Sequence, residues 1–408
     1  MTVAERSAPE QPPPISKADE RRALGVACGA HALHDGYTDL VYIMLPIWQA
    51  EFGIGFAALG LLRTCFSGTL AGLQIPSGLL AERFGAALVL AIGTVLVGVG
   101  YCLAGASVGF ATLVAALLIG GAGASTQHPL ASTLVARAFA GARSLKALGA
   151  YNFAGDVGKM TLPATASLLL VLMPWQPTLA LLGTLGLVAA AAILWLTPRF
   201  VAEPATARSE AKVNAASAVS RGRRGFSVLL AIGMLDSATR MAFLIFLPFL
   251  LIAKGASLPT VGLALTLVFA GGAAGKLVCA FVGARIGVIA TVCLTEGLTT
   301  MGILALTLLP LPLAAALALL PVIGIALNGT SSVLYGSVPE LVAPNKRARA
   351  FSIFYTGTIG AGATAPAIFG LVGDALGMQT ALMVVAGICL LTLPLALVLK
   401  PILAPAHV

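Results

Sequence analysis

Several ionisable residues stand inside runs of otherwise apolar sequence. His31, Asp35 and Asp39 recur every four residues and so share one helical face, with His34 on a neighbouring stripe. Asp156 and Lys159 are three apart, and Asp236 and Arg240 four apart, spacings at which opposite charges pair along a helix. Arg63 shares a helical face with Gln74, eleven positions on. Lys276, Glu296 and His128, which precedes Pro129, complete the set. A charge inside a bilayer costs about 2.5–3.5 kcal/mol on insertion scales, so each of these needs a partner or water. No P-loop, metal motif or nucleophile elbow accompanies them. The expectation is therefore no catalytic residue, no cofactor and no metal. Binding of an anion and exchange of a proton remain. The arginine fork meets carboxylate, phosphate or phosphonate bidentately. Burial and a neighbouring cation act oppositely on a carboxyl group's hold on its proton.

Each pair admits two readings. Asp156–Lys159 and Asp236–Arg240 can be internal neutralisation that holds helices together, because a buried charge needs a partner first. Alternatively, Arg63, Arg240 and Lys276 exceed what the local acids neutralise, and an anionic or zwitterionic substrate completes the balance. Asp35, ahead of Asp39, is the candidate for proton coupling, with His34, Asp156 and Asp236 beside it. Both aspartates can equally be counter-ions to Arg63 or Arg240. His128 reads as a packing histidine, a substrate contact or a proton carrier titrating near neutrality. Glu296 reads as a structural contact.

The elements that must hold these residues are membrane spans. The 408 residues are 59% hydrophobic and 10% charged, with a mean hydropathy of +0.99. A soluble domain carries about 25% charged residues, so most of this surface faces lipid. The pI near 9.5 would suggest a nucleic-acid partner in a soluble protein, but the basic residues fall in loops and none is expected here. The six cysteines are scattered singly, with neither disulfide nor metal spacing. Apolar runs of about 20 residues place spans at 23–48, 56–80, 87–106, 109–136, 147–172 and 176–196. A second set falls at 226–252, 259–282, 287–309, 312–338, 348–372 and 378–399. The expected domains are a tail at 1–21, a six-helix bundle at 22–196, a basic linker at 197–225, a second bundle at 226–400 and a tail at 401–408. Arg21, Arg22, Arg83, Arg137, Arg143, Lys146, Arg285, Lys346, Arg347, Arg349, Lys400 and the linker basics Arg199, Arg208, Lys212, Arg221, Arg223 and Arg224 fall on one side. That bias places both termini in the cytoplasm of a cell with a bacterial or organellar inner membrane.

The halves resemble each other at a shift of 201–203 residues: Leu45-Pro46 with Leu247-Pro248, Arg83-Phe84-Gly85 with Arg285-Ile286-Gly287, and Pro163 with Pro366. A parallel repeat places a cavity between two bundles that can rock to open it alternately. Tyr151, Asn152 and Tyr355 are candidate polar or aromatic lining.

Gly78-Leu79-Leu80-Ala81-Glu82-Arg83-Phe84-Gly85 resembles the cytoplasmic signature G-x-L-A-D-R-x-G of the major facilitator superfamily, without the usual basic pair after the last glycine. In the second half Arg285 and Gly287 persist, with Ala284 where the acid would stand. His34-Asp35, Leu45-Pro46, Gln74-Ile75-Pro76 and Gln127-His128-Pro129 together look like the fosmidomycin-resistance branch, although Leu130 replaces an acid usual there. The resemblance implies an all-α membrane protein of twelve transmembrane helices in two pseudo-symmetric bundles, working as a monomer. In that arrangement spans one, four, seven and ten line the cavity, flanked by two, five, eight and eleven, so every intramembrane charge except Glu296 falls on a cavity-type span. It assigns Gly78, Glu82, Arg83, Gly85 and Arg285 to gating. The partners it implies are a small-molecule substrate, protons and the lipid bilayer, with proton-driven export slightly favoured. The alternatives are an importer of a carboxylate metabolite and a membrane sensor or assembly protein that keeps the fold without transporting. An intramembrane enzyme is more distant.

Overall fold

A computed structural model describes residues 15–139, 142–198, 219–342 and 347–403. Arg199, Arg208 and Lys212 of the expected linker lie outside these residues, as do Lys346 and the outer parts of both tails. The described chain is helical, with no strand among the described residues. The first half comprises α1 (Lys17–Phe52), α2 (Phe56–Gly72), α3 (Gln74–Phe84), α4 (Ala86–Gly105), α5 (Phe110–Ala124), α6 (Gln127–Ala138), α7 (Ala142–Leu172) and α8 (Trp175–Leu196). The second comprises α9 (Val219–Ala253), α10 (Leu258–Ile286), α11 (Val288–Leu308), α12 (Leu313–Leu341), α13 (Arg347–Leu376), α14 (Met378–Leu390) and α15 (Thr392–Leu403).

Nine helical segments among the described residues are long and apolar enough to cross a membrane, or ten when α2 and α3, bent by 44° at Leu73, count as one. At 36 and 31 residues α1 and α7 are long enough but too polar to be among them. These are the helices that carry Asp35, Asp39, Asp156 and Lys159, so the residues that make the site also weaken the hydropathy signal.

The repeat read from the sequence is present in the packing. In the first half α1 packs on α7, α2 on α5 and α4 on α8; in the second α9 packs on α13, α10 on α12 and α11 on α14. Gly85 and Gly287 end the equivalent helices at φ +89° and +84°, a backbone region in which only glycine is at ease.

One face gathers the start of α1, the end of α3, the end of α8 and the start of α9; we call it the linker face. At the far face the two halves share one continuous core that runs from Trp48, Leu59 and Phe66 to Phe246, Val268 and Phe369. At the linker face each half has its own core, one around Val89, Leu134 and Tyr151, the other around Leu229, Leu334 and Phe354. The halves are thus joined at the far face and parted at the linker face.

The joint is made by close approach. Gly60 lies against the Pro366 carbonyl and Gly370 against the Phe56 carbonyl, where a Cβ would fall 2.1 and 2.3 Å from oxygen. Small residues let helix backbones meet in this way. Asp374 of α13 accepts hydrogen bonds from the Phe56 and Ala57 amides at 2.6 and 2.9 Å, capping α2 from the other half of the molecule.

Candidate functional site

Between the halves lies a cavity of about 270 Å³. Its charged wall carries His34, Asp35, Asp39, Arg63, His128, Asp156, Lys159, Arg240 and Lys276, and Met241, Leu244, Phe269 and Ile359 supply apolar wall.

The α1–α7 contact builds the first part. Gly158 sits against the Ala32 carbonyl, where a Cβ would lie 1.8 Å from oxygen, and Gly36 meets Leu162. This approach brings Lys159 Nζ to 3.2 Å from Asp35 Oδ2. The other Asp35 oxygen faces His31 Nε2 at 3.5 Å and His34 Nε2 at 3.8 Å. His31 Nδ1 lies 2.8 Å from the Tyr151 carbonyl, and its ring stacks on Tyr151 with centroids 4.0 Å apart. Tyr151 is therefore a support beneath His31 rather than cavity lining. His128, at the break between α5 and α6, places its ring 4.8 Å from His34 and 5.4 Å from His31.

One turn further along α1, Asp39 faces Arg63 Nη2 at 3.7 Å. Arg63 is 3% exposed, donates from Nη1 to Ser67 Oγ at 2.6 Å and lies over the Tyr42 ring at 4.9 Å. Its Nε has no hydrogen-bond partner among the described residues. This pair is long, and it borders the cavity.

Of the two expected pairs, Asp156–Lys159 is present as the weaker of two contacts and Asp236–Arg240 does not close. Asp156 takes its main partner from the other half: Lys276 Nζ donates to both of its carboxylate oxygens at 2.7 Å, while Lys159 stands 3.9 Å away. Lys276 is thus neutralised by Asp156 and contributes no surplus positive charge. Asp236, expected to pair with Arg240, forms no ion pair with it within 4.0 Å among the described residues and lies beside Glu296 of α11. Glu296 accepts from the Cys389 thiol at 3.0 Å. Asp236 lies behind the cavity wall rather than on it. Arg240 borders the cavity, has no carboxylate within 4.0 Å among the described residues, and its Nε lacks a hydrogen-bond partner. Helical spacing puts Arg240 near enough to act on the Asp236 charge, but the two do not close to ion-pair distance.

Asn152 and Tyr355 are exposed and do not line the cavity, and Tyr355 stacks on Tyr335 at 4.6 Å. Thr38, Ser67, Ser237, Met241, Ser331 and Thr358 do line it. Being uncharged, they offered the sequence no mark of expense in a bilayer. Glu82 and Arg83 are exposed at the linker face, with Arg83 over the Phe84 ring at 5.3 Å and Arg285 over Phe281 at 4.3 Å.

The model of the Major Facilitator Superfamily matches residues 27–235 and, again, 229–408. The chain belongs to the major facilitator superfamily. As a member of it, the protein is a multi-pass helical membrane protein. A bacterial homolog of the human lysosomal transporter Spinster, solved inward-facing and unoccupied, superposes with a TM-score of 0.78 at 16% identity, over 96% of this chain and all of that one. The nucleoside transporter NupG gives 0.74 at 15%, over 94% of this chain and all of NupG. At these identities the likeness concerns the fold alone. Two curated superfamily relatives match in part. The cephamycin export protein CmcT of Amycolatopsis lactamdurans is 28% identical over 183 residues, 45% of this chain and 37% of that protein. The fosmidomycin resistance protein of Escherichia coli K12 is 26% identical over 169 residues, 40% of this chain and 41% of its own length. Each match spans about two fifths of the relative.

Proposed function

We propose that this superfamily member exports a small organic anion or zwitterion across the inner membrane in exchange for protons, as a twelve-span monomer with both termini cytoplasmic. The observation that carries the reading is Arg240, a cavity-lining guanidinium with no carboxylate within ion-pair distance among the described residues. An anionic group arriving there gains a bidentate, charge-assisted partner without first breaking an existing pair. Arg63 and His128 flank the same space, and Met241, Leu244 and Phe269 suit an apolar substrate body. Export follows the name of the cephamycin export protein, and the resistance named for the other relative accords with it.

For coupling, the geometry favours Asp39 over Asp35. Asp35 is fixed by an ammonium at 3.2 Å and two imidazoles, whereas Asp39 has its ionic partner at 3.7 Å and borders the cavity. The charges around Asp39 are Arg63 on α2, Lys159 on α7, Arg240 on α9 and Asp35 on its own helix. Protonation of Asp39 releases Arg63 to the cavity, and departure of the anion restores the pair. Opened at the linker face, the cavity stands ready to load from the cytoplasm.

The test is flux in proteoliposomes under an imposed pH gradient, with cephamycin, fosmidomycin and simple carboxylates and phosphonates as probes. Gradient-dependent movement of at least one anion is expected. No such movement for any of them would sink the coupled-anion reading. In the same assay Asp39→Asn should still exchange substrate yet fail to accumulate it against a gradient, while normal accumulation would remove Asp39 from the coupling role.

A further inference from the structure

We propose that His31, His34, Asp35 and His128 form a binding site for a borderline transition-metal dication of the zinc class, on the wall of the cavity and independent of the coupling described above. One ligand atom each from His31, Asp35 and His128 already lie within 4.8 Å of one another. Asp35 Oδ1 stands 3.5 Å from His31 Nε2 and 3.8 Å from His34 Nε2. Ligands bound at 2.0–2.1 Å around a tetrahedral zinc are about 3.3 Å apart, so these separations need only a small closure.

The hydrogen bonding around the rings gives a second line of argument. A backbone carbonyl can only accept, so the 2.8 Å contact to Tyr151 puts the His31 hydrogen on Nδ1. In the neutral ring that leaves the Nε2 lone pair turned toward a carboxylate oxygen. This is the tautomer and outer support of metal-binding histidines, whose second nitrogen typically donates to a carbonyl or carboxylate. His34 is 6% exposed, and its Nε2 lies buried with no hydrogen-bond partner among the described residues, facing the same oxygen. Two imidazole nitrogens around one carboxylate oxygen want a cation between them. Gly155 keeps the space clear: a Cβ there would lie 2.7 Å from Asp35 Oδ2 and 2.8 Å from His31 Nε2.

Lys159 is the competitor. It holds the other Asp35 oxygen at 3.2 Å, but its side chain is 32% exposed and Asp156 stands 3.9 Å away as an alternative partner. Metal binding therefore turns Lys159 toward Asp156, and removal of its charge tightens the site. The sequence showed no metal motif because His128 comes from a helix break far along the chain from the α1 ligands.

The experiment uses full-length protein without a histidine tag, stripped of metal, with Co²⁺ as the probe and visible absorption as the readout. One Co²⁺ per chain with an intense tetrahedral spectrum, displaced by Zn²⁺, is expected. His128→Ala, at an exposed position, should weaken binding at least tenfold, and Lys159→Met should tighten it several-fold. Thermal melting of each variant without metal establishes that it is folded. Absence of binding at millimolar Co²⁺, a six-coordinate spectrum, or affinity unchanged in His128→Ala overturns the site. Binding abolished by His407→Ala, in the C-terminal tail, also overturns it.

Discussion

At the residue scale, Glu296 changes most between sequence and structure. It lies on a span that the superfamily layout puts away from the cavity, yet it is 2% exposed and stands beside Asp236. Two neighbouring carboxyl groups in an apolar setting share one proton rather than both ionise. No cation lies within 4.0 Å of either among the described residues. Infrared difference spectra should therefore show a protonated-carboxyl stretch at neutral pH that shifts in D₂O and is lost in Glu296→Gln. If the stretch persists in that variant, the proton belongs elsewhere. Arg240, with no carboxylate within 4.0 Å among the described residues, faces the cavity. Arg240→Ala removes a charge-assisted contact of roughly 2–3 kcal/mol, so substrate affinity should fall about thirtyfold or more with the protein still folded. Unchanged binding would make Arg240 a structural residue.

At the scale of elements, the α2–α13 contact defines the closed far face. Asp374 caps α2 through two amide hydrogen bonds, and Gly55 beside it leaves the carboxylate its place, since a Cβ would lie 2.7 Å from both oxygens and displace them. Loss of a cap costs about 1 kcal/mol, and that shifts a two-state equilibrium about fivefold. Asp374→Ala should accordingly raise labelling of a reporter cysteine at Ala363, in a chain whose own cysteines are replaced, by an impermeant reagent applied from the far face. Equal labelling in both chains would mean that the cap holds only the end of α2. Gly60→Leu is the stronger form of the same test. Its side chain would meet the Pro366 carbonyl, so the far face should stay open and transport should nearly stop.

At the scale of the whole molecule, the halves touch through α2 with α13 and through α7 with α10, equivalent pairs under the repeat. The second contact is held by Lys276 on Asp156 and by Thr266 Oγ1 donating to the Met160 carbonyl at 3.0 Å. Lys276 is 43% exposed at the side chain, so water screens the pair and its worth is about 1 kcal/mol or less. Lys276→Met should therefore shift the resting population toward the far-face-open state by a few-fold at most, read by the same labelling. A complete block of transport would instead give Lys276 a direct part in substrate binding.

The sequence by itself determined the architecture. Hydropathy and length mark most of the spans, although the charges on α1 and α7 dilute the signal there. The repeat is legible because two equivalent turns need the same glycine, Gly85 and Gly287. It also named most of the cavity's charged wall, because charges that cost kilocalories in a bilayer stand out singly. Which charges meet was beyond it. Spacing reports neighbours on one helix, and it proposed Asp236 with Arg240 and Asp156 with Lys159. Glu296 and Lys276 reach those acids from helices far along the chain, and distance and competition in three dimensions settled the partners. The convergence of His128 with His31, His34 and Asp35 is of the same kind. One ring enters from a helix break, the others from α1, and only the folded packing brings them to one oxygen.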